Sequence, residues 1–503
     1  MEDNRPKPEE KQIASRERGR FFRWLDRRTG LDSLLRAALD EPIPGGASLA
    51  YVFGSGLLFL FLSQVITGVF LALYYVPSAD HAHTTIAYIT KEVTAGSFIR
   101  SIHAYGSSAI IIVLLLHITQ TFLYGSYKGK RELLWLAGCA LFVLMLGMSF
   151  TGYLLPWDQK AFFATTVGTN ILSEIPFVGD ALKSLLRGGT DMGTLTLSRF
   201  FVLHVFMIPA LIFAFVALHV YLFRKAGAAG PIRGDSATPK QAVSLKGSVA
   251  LEQSTEPFYP RQVLFDLVFA LVIIAGLGIL AHFVPMDLGP KANPADTQYI
   301  PRPEWYYIPV FQWLKYWEGA LAVVGILVIP GLIGLLFIAL PFLDRRPERR
   351  PWKRPVAVTI YFIIFIGLGV LGALSHRNDL RDPAVAAQLS SQREEVHAFM
   401  KEPFQSEVEG SALPAANAVL PDPAAARGKS LFEQQGCNAC HGDNGIGTAA
   451  APKLIGVGGK YDPQKLEALL KQPTAKMTQG GMPPVVLKGQ DLKDLVAYIE
   501  SLK

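Results

Sequence analysis

Cysteine is scarce, with three in 503 residues, two of them inside a single Cys-x-x-Cys-His. That leaves no pairs for a disulfide framework. Charge is also scarce, at 18% Asp, Glu, Lys and Arg against 50% hydrophobic residues. Such a balance excludes a soluble enzyme and a disordered chain alike. The first 47 residues lack the short basic-then-apolar pattern of a cleaved signal peptide. No strong internal repeat is visible. The formal charge of +7 would by itself suggest nucleic acid, but the placement of the basic residues points elsewhere.

Long hydrophobic runs are what the sequence has in abundance. Seven are long enough to cross a bilayer, which takes roughly 20 residues: 48–76, 102–124, 133–153, 200–223, 263–284, 319–342 and 356–375. They are called spans A to G. The N-terminal segment and the B–C, D–E and F–G loops carry 25 basic residues, against 9 on the opposite side. The positive-inside rule therefore puts the N-terminus in the cytoplasm. Seven crossings put everything after span G outside.

The expected organisation is all-α: a seven-helix transmembrane bundle and a small soluble α-helical domain. Residues 1–225 form a four-helix unit and 226–375 a three-helix unit. Residues 376–425 read as a linker with one short helix near 383–404, and 426–503 as the soluble domain.

Span B holds His103 and His117, 14 residues apart; span D holds His204 and His219, 15 apart. At roughly 100° per residue, 14 steps end about 40° from the start and 15 about 60°. Each pair thus shares one helix face, its members about 21–22 Å apart along the axis. B and D run in the same direction, so His103 and His204 share one depth, and His117 and His219 another. Ionisable groups in a membrane are costly and usually functional. Two axial imidazoles at each depth suit a haem iron with no open position. Gly54 and Gly68 in span A, and Gly138 and Gly152 in span C, are also 14 apart. A flat macrocycle needs close backbone approach, which glycine allows; ordinary small-residue packing between membrane helices is the alternative.

The segments RSIHAYGSS…LLLHI, SFTGYLLPWDQKAFFATTV and LSRFFVLHVFMIPALIFAFVALHVYLFRKAG resemble the cytochrome b of quinol-oxidising cytochrome bc complexes. EPFYPRQVLFD and PEWYYIPVFQ resemble its C-terminal half. The likeness covers roughly 36–376. PWDQ, PEWY and the 15-residue gap are similar to the chloroplast-type branch, where the two halves are separate chains. The resemblance implies a low-potential haem on His103 and His204 near the outer side, and a high-potential haem on His117 and His219 near the inner side. It also implies Arg100 as a propionate partner, unless it is an interfacial anchor. Chloroplast-type relatives attach an extra haem through a cysteine where this chain has Val52, which argues against one here. Cys139 reads as a buried small hydrophobe.

The resemblance assigns Glu304, in Pro303-Glu304-Trp305-Tyr306, the second proton of quinol oxidation. A carboxylate that swings between quinol and water suits that task. Tyr306 is a candidate for hydrogen bonding or gating, and Trp305 equally fits an interfacial belt. The C–D loop supplies the other wall, where Gly168 is either a close approach or a turn. Asp266, at the start of span E, matches an Asp of mitochondrial-type relatives near the inner quinone site; a first-turn acid also complements the helix dipole.

In the tail, Cys437-Asn438-Ala439-Cys440-His441 is a c-type haem attachment motif, with His441 on the iron. A zinc site needs further ligands, and the tail has no more cysteine. Met482, in Gly-Gly-Met-Pro, is favoured over Met477 as sixth ligand, giving Met/His coordination. Helices over 426–435 and 489–502 fit a small cytochrome c. Such haem is attached on the outer side of bacterial membranes, in agreement with the parity of seven spans.

The reading is thus a cytochrome b joined to a cytochrome c, the core subunit of a quinol–cytochrome c type reductase. Its cofactors are two non-covalent bis-His b haems and one covalent c haem. Its partners are a separate Rieske iron–sulfur protein, the quinone pool and a downstream acceptor, in a homodimeric complex. A di-haem anchor passing electrons from periplasmic donors to quinone, and a non-enzymatic haem sensor or scaffold, are the rivals.

Overall fold

The computed structural model describes residues 20–33, 39–230, 232, 255–405, 423–442, 445, 447, 451–479 and 482–502. The basic residues Arg5 to Arg18, Arg36, Arg233, Lys240 and Lys246, counted above, lie outside that set. Two compact units emerge, Met1–Phe404 and Gln405–Lys503.

The first unit is helical apart from two three-residue strands, Pro42–Pro44 and Thr255–Pro257, paired antiparallel. Among the described residues, six helices are long and apolar enough to cross a membrane: Leu49–Ala72, Gly96–Leu123, Glu132–Tyr153, Thr194–Ala226, Arg261–Phe283 and Pro355–Arg381. These are spans A to E and G. Each is apolar around its whole circumference, as lipid requires. Span A packs on B, C on D, and E on both A and B. Leu60, Ile110, Val113 and Leu277 form the seam among A, B and E.

The expected seventh span differs. Gly319–Leu321 is a 3₁₀ turn, Val324–Val328 a π turn, and Ile329–Ile338 and Leu340–Leu343 are short α-helices. The physical reason lies in two prolines. Pro330 and Pro341 lack an N–H and crowd the preceding turn. The π turn widens the backbone just before Pro330, the Ile329 N–H reaching back five residues to the Val324 carbonyl. Span D shows the same device, with π turn Leu203–Met207 just before Ile208-Pro209.

The tightest core lies not in the spans but at the end carrying the A–B, C–D and E–F loops. Tyr75, Ile86, Leu154, Trp157, Phe162, Leu197, Phe200 and Leu288 bury one another there. At the opposite end, buried arginines close the helices. Arg354 donates to the Phe122 and Leu123 carbonyls, Arg349 to those of Tyr124, Ala229 and Gly230, and Arg131 to Gly227. These basic residues satisfy the orphan carbonyls where B and D finish, a duty beyond membrane orientation.

Span G runs on to Arg381, and the short helix expected near 383–404 forms as Pro383–Lys401, capped by Asp382. Lys91 ties down its end, donating to the Phe399 and Glu402 carbonyls at 2.6 and 2.7 Å. The rest of the expected linker, 406–422, lies outside the described residues.

In the second unit, helices Pro423–Gln434 and Gln490–Ser501 cross, close to the expected positions. Gly428 makes the crossing: a Cβ there would run into the Asp494 backbone. Phe432, Leu466, Leu470, Leu492, Leu495 and Ile499 fill the core.

Candidate functional site

The four histidines and four glycines meet one to one. Gly68 faces His103 and Gly54 faces His117, both across spans A and B. Gly152 faces His204 and Gly138 faces His219, across C and D. Each glycine therefore gives room to an imidazole ring, which holds the ring's orientation as well as leaving a flat space beside it.

The unequal spacings of 14 and 15 are reconciled by the π turn. It spans Leu203–Met207 and so contains His204. An i→i+5 turn takes one residue more than an α turn. The extra residue of span D is absorbed there, so both helices carry their histidines at equivalent rotation.

His103 and His204 stand with ring centres 6.2 Å apart and planes at 77°. Two imidazoles each ligating a metal at about 2 Å put their ring centres roughly 6 Å apart. Their tautomers are set locally. Thr67 spends its hydroxyl proton on the Ser63 carbonyl at 2.8 Å, so its oxygen accepts from His103 Nδ1, 2.9 Å away. Thr151 likewise donates to the Gly147 carbonyl at 2.9 Å and accepts from His204 Nδ1 at 3.3 Å. The Met148 carbonyl also accepts from that nitrogen, at 3.1 Å. With Nδ1–H so engaged, Nε2 is the free ligand in both rings.

At the inner depth, Phe53 and Ala137 precede the glycines where Thr67 and Thr151 do in the outer set. His219 Nδ1 is buried without a hydrogen-bond partner among the described residues, the Leu134 carbonyl beside it falling outside bonding geometry. A buried imidazole in that condition fits a ring held by metal ligation rather than by a hydrogen-bond network. Among the described residues no group of three or more His, Cys, Asp or Glu gathers, so the histidines come in twos.

Arg100 is buried at the outer end of span B, its guanidinium donating to the Met286 and Asp287 carbonyls, both at 2.7 Å. It pins the chain leaving span E. Asp266 accepts from Gln262 at 3.0 Å, and Gln262 also accepts from the Ser48 N–H at 2.9 Å. Asp266 is thereby tied to the start of spans A and E.

Two loops meet at the outer end. Asp158 of PWDQ caps helix Gln159–Asn170, accepting from Ala161 N at 2.8 Å, and also accepts from Gly289 N at 3.2 Å. The Gln159 N–H reaches the Pro290 carbonyl, and the Ala292 N–H that of Trp157. This latch brings Lys160 to Glu304, Nζ to Oε1 at 2.7 Å. Tyr307 donates to the Leu146 carbonyl at 2.9 Å, pinning PEWY against span C. Tyr306 lies beside the Ser149 and Ser107 hydroxyls; burial pushes its phenol up to about 12. Trp305 stays largely exposed, its indole N–H 3.4 Å from Ser108 Oγ. Gly168 is inside a helix, not a turn, and the Phe150 ring packs on it. Thr67, Thr151 and Lys160 were missed by sequence reasoning. The repeated Thr-Gly dipeptides were the available signal for the first two, and a cation directly after PWDQ for the third.

In the second unit, Cys437–His441 is a short helix. Burial pushes the Cys437 thiol up, while Cys440 is exposed. His441 Nδ1 sits 2.9 Å from the Pro452 carbonyl, leaving Nε2 free. Met482 and Cys437 both pack against the core cluster, and the Met482 N–H bonds the Met477 carbonyl.

Known proteins share this arrangement. The family model described as Cytochrome b/b6/petB matches residues 38–227. Cytochrome b(C-terminal)/b6/petD matches 291–391, and Cytochrome c matches 425–503. The chain is 34% identical over 70% of its length to the cytochrome b/c1 of Bradyrhizobium diazoefficiens, spanning half of that protein. It is 34% identical over 70% of its length to the cytochrome b of Rickettsia bellii, covering 86% of it. Against the menaquinol:cytochrome c reductase cytochrome b subunit of Bacillus subtilis it is 40% identical, over 42% of this chain and 99% of that one. A solved chain of a hyperthermophilic respiratory complex III superposes with a TM-score of 0.62 at 27% identity, over 76% of this chain and 97% of that one. Cytochrome b and c domains imply b-type and c-type haems. The chain belongs to the cytochrome b family of membrane-bound bc-type electron-transport complexes and carries a cytochrome c domain at its C-terminal end.

Proposed function

We propose that this chain is the catalytic core of a quinol–cytochrome c type reductase that oxidises quinol at the outer end and reduces quinone at the inner one. The observation that carries the reading is the pairing of His103 with His204, each Nδ1 engaged by its own threonine and each Nε2 left as a ligand. His117 and His219 are the corresponding inner ligands. Bound there, two b haems supply one-electron carriers at two depths, and a third, on Cys437, Cys440, His441 and Met482, supplies one in the cytochrome c domain.

The chain's own residues handle orientation and protons. Quinol gives up two protons and two electrons. Glu304 takes the second proton and passes it to water, from a loop held by Tyr307 and the PWDQ latch. Tyr306 orients the headgroup. One electron leaves to a separate Rieske iron–sulfur partner and the other crosses to the inner side, where Asp266 helps supply protons to quinone. Arg100 contributes positive charge toward a propionate beside its two carbonyl bonds. Seven crossings, with span F completing the count, put the N-terminus in the cytoplasm and the cytochrome c domain on the periplasmic face of a bacterial membrane, in a homodimeric complex.

Stopped-flow reduction by quinol of membranes with and without the Rieske partner tests this. Reduction of the c haem that requires the Rieske partner supports the reading. Equal reduction without it contradicts bifurcation and favours a simple di-haem anchor.

A further inference from the structure

Lys160 follows PWDQ as the second residue of helix Gln159–Asn170, and it meets the only carboxylate of the PEWY segment. The contact is a 2.7 Å ion pair whose two side chains are 46% and 29% exposed. It spans the C–D and E–F loops, the two walls proposed for the quinol site. The Lys160 ammonium stands over the Tyr153 ring, Nζ 5.6 Å from the centroid. The Tyr153 hydroxyl lies 3.4 Å from the Arg302 carbonyl, closing the contact back onto the PEWY loop.

The other charges nearby are engaged elsewhere. Arg302 is bidentate on Asp379 of span G. Asp158 is held by Ala161 and Gly289 N–H groups. Tyr153 and Tyr306 face Glu304 as neutral phenols, on span C and on its own loop. Lys160 is therefore the cation in contact with Glu304.

We propose that Lys160 is a positioning residue for quinol oxidation: it draws the Glu304 carboxylate to the water-facing end of the site and returns it to the ionised form after each proton transfer. This rests on the reading that Glu304 accepts a quinol proton. In that step, after the first electron and proton have left, the remaining O–H bond of the half-oxidised quinol breaks and a carboxyl O–H bond forms on Glu304, while the second electron passes toward the inner side. The neutral acid loses most of its attraction to the ammonium group. Rotating back toward Lys160, it meets a positive charge that favours the carboxylate, and its proton leaves to bulk water.

The sign of the effect follows. Glu304 must be ionised to accept a proton, and a neighbouring cation favours the ionised form. Removing the cation weakens that preference, so the acid limb of the rate profile moves to higher pH.

The test uses the intact complex with its Rieske partner and duroquinol as the reductant, following c-haem reduction from pH 5 to 9. Haem content is checked first; if Lys160→Met does not assemble, Lys160→Gln takes its place. The expected result has three parts. The acid limb moves to higher pH while the alkaline plateau stays near the parental rate. Lys160→Arg restores the parental limb. Adding the Lys160 substitution to Glu304→Gln changes nothing further. An unmoved limb, a rate lowered equally at every pH, or no restoration by arginine overturns the assignment of Lys160 while leaving the quinol site standing. A parental rate in Glu304→Gln itself overturns the quinol site, and the role of Lys160 with it.

Discussion

The backbone of Gly152 lies so close to the His204 imidazole that a Cβ at that position would collide with the ring. The other three glycines grade away from this limit. The nearest ring atom would be 3.1 Å from a Cβ at Gly68, 3.4 Å at Gly138 and 3.7 Å at Gly54. Alanine substitution is therefore expected to act in that order. Gly152→Ala displaces His204 and abolishes the outer b-haem signal, Gly68→Ala weakens it, and Gly54→Ala is tolerated because 3.7 Å is ordinary contact. Reduced-minus-oxidised optical spectra of the four variants check the ranking; loss of haem in Gly54→Ala with retention in Gly152→Ala reverses it.

Thr67 and Thr151 serve the His103 and His204 pair. Each accepts from a histidine Nδ1 while donating to its own helix, which would make the opposite ring nitrogen a stronger donor to a bound iron. Thr67→Val removes the acceptor at nearly constant volume. The outer haem's midpoint potential is expected to rise, and haem affinity to fall by about tenfold or more, with the inner haem unmoved. Redox titration of both b haems decides; a shift confined to the inner haem contradicts the assignment of depth.

Glu304→Gln keeps the size of the side chain but cannot accept a proton. Quinol-driven c-haem reduction is expected to slow by roughly a hundredfold, with all haems still bound. Unchanged turnover removes Glu304 from the chemistry.

Much of this was legible from residue spacing. Four histidines and four glycines at matched intervals named the site, and Cys437 to His441 named the second one. What remained hidden depended on local backbone departures. The 15-residue interval in span D looked like a mismatch of about 100° against span B, because nothing in periodicity announces that Pro209 forces a π turn at His204. The same effect at Pro330 divides span F, whose composition reads as one run. The inner arginines counted toward membrane orientation, although burial against helix-end carbonyls is a matter of tertiary contact. Lys160 meets Glu304 across 144 positions of sequence, through a latch made largely of backbone hydrogen bonds. The short helix expected near 383–404 forms, but its anchoring by Lys91 is a tertiary contact that composition does not announce.

The cytochrome c domain carries its own pH dependence. Asp494 is buried where the two terminal helices cross, and accepts from Arg427 at 2.6 Å and Gln490 at 2.8 Å. Those bonds hold its carboxyl below the usual value. The stability it contributes is present above the unfolded value of about 3.9 and is lost as pH falls through the folded one. Asp494→Asn is therefore expected to lower the domain's thermal midpoint at pH 7 and to differ least from the parent below about pH 4. Melting followed by c-haem absorbance across pH tests this; an equal difference at both ends contradicts it.

The central claim is that spans B and D hold two separable b haems, one at each depth. It is tested most directly by low-temperature reduced spectra of His204→Ala and His219→Ala beside the parent. The account predicts two b-haem components in the parent, loss of only the lower-potential one in His204→Ala, and loss of the other in His219→Ala. A parent with no extractable protohaem, or both components surviving in either variant, would contradict it.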